Sequence, residues 1–209
     1  TGVSFSVAYT YDGFGRVSEQ NVKHGTESVL IRQPGYDKTT GAAATDAQVD
    51  TYTVKNKNGT VIASYSYTYD ANGNIIEVSD GTYTTAYTYD SQNQLIREDN
   101  QAAGKSWKWT YNKTGNILKK EEFAYTTETL GAAADTVSYG YDDTGWGDLL
   151  TAYNGTDVTY DQIGNPNSLN GRSYIWEHGR ELATVSYNGT TWTNTYDANG
   201  MRTQRKSSS

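Results

Sequence analysis

Aspartates and asparagines recur in this chain directly after a tyrosine and three residues before a glycine, as in Tyr69-Asp70-Ala71-Asn72-Gly73-Asn74. Closely spaced side-chain oxygens are what a calcium loop requires, and the repeated carboxylate could also serve as a glycosidase acid. The other copies break the ligand spacing: Asp90-Ser91-Gln92 and Asp12-Gly13-Phe14 do not keep the oxygens. Turn capping accounts for every copy, because an Asp or Asn side chain can bond backbone N–H groups two residues on. His24 and His178 fall at separate turns, and there is no cysteine. The chain therefore offers no thiolate metal site and no nucleophile–histidine dyad. No acid–base pair stands out, so neither an enzyme nor a cofactor is expected.

Two further groups could meet a ligand. Trp107, Trp109 and Tyr111 are spaced by two, which puts them on one face of one strand. An exposed aromatic row is what a sugar-stacking platform needs; such rings also stack on neighbouring strands, and that reading is preferred. Asn58-Gly59-Thr60, Asn112-Lys113-Thr114, Asn154-Gly155-Thr156 and Asn188-Gly189-Thr190 match the glycosylation acceptor. They also match hairpin turn chemistry, and that reading is preferred.

The elements that position these residues repeat. Tyr67-Thr68-Tyr69-Asp70-Ala71-Asn72-Gly73-Asn74-Ile75-Ile76 alternates aromatic and β-branched residues, turns, and resumes with apolar residues. It predicts a β-hairpin with a three-residue loop, Ala71-Asn72-Gly73, closed by a bulge at Gly73. Asp70 then pairs with Asn74 and Tyr69 faces Ile75. The same offset of six pairs Tyr11 with Val17, Tyr89 with Leu95, Tyr111 with Ile117 and Trp176 with Leu182. Further copies begin at Tyr141, Tyr160 and Tyr196, and Asn93 stands where the others carry glycine. A second turn family alternates with the first: His24-Gly25, Asp80-Gly81, Asn100 to Gly104, Asn154-Gly155, Asn170-Gly171 and Asn188-Gly189. A stride near 20 residues, as from Tyr69 to Tyr89 and from Trp176 to Tyr196, marks a repeat array. Two strides are longer, and both insertions carry Gly-Ala-Ala-Ala, at Gly41 to Ala44 and Gly131 to Ala134. Each is an enlarged loop or a short helical turn.

Composition sets the class. Tyrosine (19) far outnumbers phenylalanine (3), and only 2 prolines occur. A tyrosine buries its ring and keeps its hydroxyl wet, which suits a thin sheet better than a thick apolar core. The net charge is −7 with dispersed cations, which disfavours nucleic acid and anionic membrane as partners. No apolar run reaches membrane-span length and no signal peptide is visible. The chain reads as a fragment of something longer. The expected fold is all-β: residues 1–209 as a single antiparallel hairpin meander of about 18 strands. So wide an open sheet curls, splits or closes, so a strongly curved or spiral partial shell is expected.

These copies, with Ser173-Tyr174-Ile175-Trp176-Glu177-His178-Gly179-Arg180-Glu181-Leu182 and Tyr196-Asp197-Ala198-Asn199-Gly200-Met201-Arg202, resemble the YD repeat of RHS proteins of Gram-positive bacteria. The resemblance covers nearly the whole chain. In that family, and in the related insecticidal toxin-complex and teneurin proteins, such repeats build a hollow spiralling β-shell. The resemblance implies a structural segment of a secreted or cell-surface protein, whose shell encloses or presents a C-terminal toxin or effector. Its partners would be adjacent repeats and the enclosed toxin. It implies carbohydrate binding as the alternative, with glycans as partner and Trp107, Trp109 and Tyr111 as contacts. The family's self-cleaving Asp-Pro motif is absent, since neither Pro34 nor Pro166 follows an aspartate. Uncapped strands near both ends add weak end-to-end self-association as an expectation.

Overall fold

A computed structural model describes residues 4–36 and 47–208. Every described element is a β-strand. The first nine are β1 (Phe5–Tyr11), β2 (Val17–His24), β3 (Glu27–Gly35), β4 (Thr51–Asn56), β5 (Val61–Tyr69), β6 (Ile75–Ser79), β7 (Thr84–Tyr89), β8 (Leu95–Asn100) and β9 (Lys105–Tyr111). Then follow β10 (Ile117–Ala124), β11 (Asp135–Gly140), β12 (Ala152–Tyr153), β13 (Thr156–Asp157), β14 (Thr159–Tyr160), β15 (Pro166–Leu169), β16 (Arg172–Glu177), β17 (Glu181–Tyr187), β18 (Thr190–Tyr196) and β19 (Arg202–Ser207). Strand order follows chain order in two open sheets, β1 to β13 and β14 to β19.

The strands form because their residues alternate. In β5, Ala63, Tyr67 and Tyr69 are half-buried while Ile62, Ser64, Ser66 and Thr68 are exposed, and Val61 and Tyr65 on the first face are exposed as well. On polar faces short hydroxyl pairs bridge neighbours, as Thr10 with Ser18 at 2.9 Å and Thr159 with Ser168 at 2.8 Å. Core residues are few: among the described apolar side chains only Phe123, Val158 and Ala183 are buried.

The chain's contacts group it into two units, residues 1–108 with 122–134 and residues 109–121 with 135–209. In the first unit, β1 through β8 form a meander, and the base of the β9–β10 hairpin carries the loop that follows it. The second unit holds the tip of that hairpin and β11 through β19. Nineteen strands stand among the described residues where about 18 were expected, because one predicted strand is divided. Residues 156–157 pair back with β12, and residues 159–160 pair forward with β15. Val158 lies between, buried, its N–H bonded to Thr151 O at 2.9 Å. The division separates the two sheets.

Of the two insertions, residues 41–44 lie outside the described residues. Residues 125–134 form an extended loop without a helical turn, which settles that alternative. One predicted turn is corrected. Tyr141-Asp142-Asp143-Thr144-Gly145 does not close on itself. Gly140 pairs with Ala152 instead, and Thr151 N–H donates to Gly140 O at 2.7 Å. Asp143 Oδ1 caps the N–H groups of Gly145 and Trp146, starting a wider loop. Its Trp146 ring lies against Gly164, where an added Cβ would come within 2.9 Å of the indole.

Candidate functional site

The repeated unit itself is the candidate site, and its turn is built locally. Asp70 Oδ1 accepts the N–H groups of Asn72 and Asn74, both at 2.9 Å. Its Oδ2 accepts the Asn74 side-chain amide at 2.9 Å. The base closes through Asp70 N–H to Asn74 O, and Gly73 N–H returns to Asp70 O. Gly73 has φ 86°, which L side chains rarely adopt; Asn93 takes φ 61° at the equivalent position. The bulge falls where expected, between Thr68 and Tyr69, with Tyr69 opposite Ile75. The offset of six recurs in Tyr11–Val17, Tyr89–Leu95, Tyr160–Pro166, Trp176–Leu182 and Tyr196–Arg202. The Asn112 turn closes the same way, Asn112 N–H to Asn116 O at 2.9 Å.

These carboxylates are spent on their own turns. The hydrogen bond from the Asn74 side chain leads the effects that hold Asp70 below its ordinary value of 3.8, aided by the N–H groups of residues 72–74. Backbone donation from Asn165 does the same for Asp161. Asn56 caps Asn58 and Thr60 in the same way, so residues 56–60 belong to this turn type. The Asn56-x-x-Gly59 spacing was the signal for it.

Consecutive units are tied by a contact that sequence reasoning missed. Six aromatic residues, five of them directly before a capping turn, donate a hydrogen bond to a backbone carbonyl of the preceding unit. Tyr36 Oη donates to Val17 O (3.0 Å), Tyr89 to Ile75 O (2.9 Å), Tyr160 to Leu150 O (2.7 Å) and Tyr196 to Leu182 O (3.1 Å). Tyr69 reaches Val49 O at 2.7 Å, and Trp176 makes the contact with its indole N–H to Pro166 O at 2.7 Å. Four of these acceptors, Val17, Ile75, Pro166 and Leu182, lie six residues after the preceding unit's own aromatic. Phenylalanine could pack in these places but could not donate, and five of the 19 tyrosines are used in this way. Burial pushes the phenols of Tyr89 and Tyr160 above their ordinary 10.0. Turn residues also touch: Asn72 and Asn74 amides both donate to Asn93 Oδ1, and the Asn165 amide donates to Gly179 O.

The loop of residues 125–134 is pinned within the first unit. Ser106, with no exposed surface, accepts Thr126 N–H at 3.1 Å and donates to Thr126 O at 3.2 Å. Arg97 Nη2 reaches Thr126 O at 2.7 Å and Glu128 O at 2.9 Å, while its Nε is held by Asp99. A cavity of about 410 Å³ under this strap is lined by Thr88, Ile96, Arg97, Lys108, Thr129 and Leu130.

The residues singled out for ligand chemistry are placed as follows. Trp107 is half-buried opposite Glu98, its indole N–H donating to Glu122 Oε2 at 3.2 Å. Trp109 is half-buried with the Lys120 ammonium 5.8 Å from its ring, and Tyr111 is half-buried on the same strand. His24 lies against Phe5, and His178 Nδ1 is 3.0 Å from Glu181 Oε2. Among the described residues no group of three His, Cys, Asp or Glu could hold a metal ion.

The crystal structure of TcdB2-TccC3-TEV contains a chain that matches with a TM-score of 0.66 at 18% identity. The match covers 96% of this chain and 11% of that one, so the likeness is one of fold over a small part of a much larger protein. No curated protein matches the chain. The Teneurin YD-shell family model matches residues 2–165. Tandem hairpins with capped Tyr-Asp turns thus have a family: the chain belongs to the Teneurin YD-shell family.

Proposed function

We propose that this chain is a wall segment of a secreted or cell-surface RHS-type shell that encloses or presents a toxin or effector carried by the same polypeptide. The observation that carries the reading is the repeated donation from one unit's tyrosine or tryptophan to the preceding unit's carbonyl. It joins units without demanding a core, which is what a wall needs. Family membership and the fold shared with the TcdB2-TccC3-TEV chain support a structural role. The turn carboxylates support it too, since Asp12, Asp70 and Asp161 are engaged at both oxygens within their own turns. In the full parent protein, the effector segment should resist protease while the shell is folded and become cleavable when denaturant opens it. Equal cleavage of that segment, with and without an intact shell, would refute the proposal.

A further inference from the structure

The strap of residues 125–134 lies over one face of the sheet, and register shows what stands beneath it. Successive residues of a strand alternate between faces. Asp99 is opposite Ser106, and one row further along Thr88, Arg97 and Lys108 stand side by side across β7, β8 and β9. Both rows share the face that carries the strap's anchors, Ser106 and Arg97. Thr88 pairs with Arg97 while Tyr89 pairs with Leu95, so Ile96 is the extra residue of a bulge. A bulge re-aims a side chain, and this one brings Ile96 into the same lining as its neighbour Arg97. β7, β8 and β9 each have a strand neighbour on both sides, so the place is complete within the array.

The strap leaves the cavity of about 410 Å³ unfilled. Leu130 lines it, half-buried, but residues 131–134 are small and exposed and add no side chain to its lining. The apolar lining is therefore Ile96 from the sheet and Leu130 from the strap. Of the polar lining, Arg97 is already spent: Nε is held by Asp99, and Nη2 donates to the carbonyls of Thr126 and Glu128. Lys108 is exposed and has no ion pair among the described residues. The hydroxyls of Thr88 and Thr129 likewise have no partner there. Arg97 and Lys108 are like charges directly opposed on neighbouring strands, a costly arrangement, and Asp99 offsets only Arg97. One positive charge, two free hydroxyls and two aliphatic side chains thus meet around one space.

We propose that this cavity binds a small monocarboxylate with an aliphatic or aromatic body. The carboxylate meets the Lys108 ammonium and accepts hydrogen bonds from the hydroxyls of Thr88 and Thr129, and the body lies against Ile96 and Leu130. A single unbalanced cation matches a single negative charge. Phosphate recognition favours the two-pronged fork of an arginine, and the fork of Arg97 is occupied by the strap. An alcohol of the same length would leave Lys108 unpaired, and acetate would leave the apolar lining wet. Sites of this kind combine an apolar wall with a few convergent polar groups.

Titration of the intact chain with hexanoate, followed by amide NMR shifts, tests this. Hexanoate should bind saturably with a Kd of about 1 mM, as expected for so small a ligand, and should shift the Lys108, Thr129 and Leu130 amides. Acetate and 1-hexanol should each bind at least about ten-fold more weakly, since each lacks one half of the match. Lys108→Met should weaken hexanoate about ten-fold, while Lys108→Arg retains it. Lys57→Met, which removes an exposed lysine from the Asn56 turn, should leave the affinity unchanged. Lys108 is exposed and outside every described ion pair, so its variants should melt as the parent does. No saturable binding of hexanoate, 1-hexanol binding as tightly, shifts that spare Thr129 and Leu130, or an affinity indifferent to Lys108→Met would overturn the proposal.

Discussion

Tyr89→Phe removes one hydroxyl and leaves the half-buried ring in place. The hydroxyl donates to Ile75 O at 2.9 Å, and Ile75 belongs to the preceding unit. A hydrogen bond of this kind contributes about 1 kcal/mol net, and the abandoned carbonyl keeps the cost near that value. Tyr196→Phe removes the equivalent bond to Leu182 O at 3.1 Å, in the other compact unit. Each bond ties only neighbouring units, so the two losses should add to about 2 kcal/mol. Against a typical total of roughly 5–15 kcal/mol, that is a large share. The control is Tyr65→Phe, whose hydroxyl has no protein partner among the described residues; it should stay within about 0.5 kcal/mol of the parent. Urea denaturation followed by tryptophan fluorescence reads the difference as a lower midpoint at unchanged slope. Alkali supplies an independent arm. Burial raises the phenols of Tyr89 and Tyr160 above 10.0, so the fold favours the neutral form. That stability is complete below pH 10 and disappears as pH rises through the raised folded values, because a phenolate cannot donate to a carbonyl. Tyr89→Phe should therefore blunt the alkaline loss. Tyr89→Phe indistinguishable from Tyr65→Phe, in both midpoint and alkaline response, would refute the idea that these hydroxyls join the units.

Gly73→Val should cost more than about 1 kcal/mol, since φ 86° strains a β-branched residue and its Cβ would meet Gln48 Nε2 at 3.2 Å; an unchanged melting curve would refute the bulged turn. The depressed carboxyls of Asp70 and Asp161 stabilise the fold above their ordinary 3.8, and that stability fades as pH falls through the lower folded values. A variant with Asp70→Asn and Asp161→Asn should melt with a shallower acid dependence, as Asn56 and Asn112 already cap turns without charge. Arg97→Ala should cost about 2 kcal/mol, because buried Asp99 loses its partner, and should speed hydrogen exchange at the Thr126 amide; protection unchanged there would mean that Ser106 alone holds the strap. The carbohydrate alternative is decided on a glycan array: selective binding that disappears in Trp109→Ala supports it, and binding absent or unchanged removes it.

The hairpins were legible because their determinants are local. Asp70 bonds residues two and four positions on, Gly73 answers a backbone demand at its own position, and the offset of six follows from that loop. Spacing in the sequence is spacing in space at that range, so turn type, bulge and register were all within reach of the sequence. Where extra residues intervene, the same reasoning failed: Trp146-Gly147-Asp148 lets Asp143 rather than Asp142 take up the turn's N–H groups. The tertiary structure alone decided which carbonyl each tyrosine hydroxyl reaches. Tyr89 and Ile75 are 14 residues apart, and Tyr36 and Val17 are 19 apart. Nothing in the sequence marks a backbone carbonyl as an acceptor, since every residue has one. The strap shows the same limit. Arg97 and Glu128 lie 31 residues apart, and their meeting depends on how the intervening hairpin returns. What covers Trp107 and Trp109 was likewise unreadable: stacking on neighbouring strands was the preferred reading, but which residues lie over an aromatic face depends on what its neighbours place there.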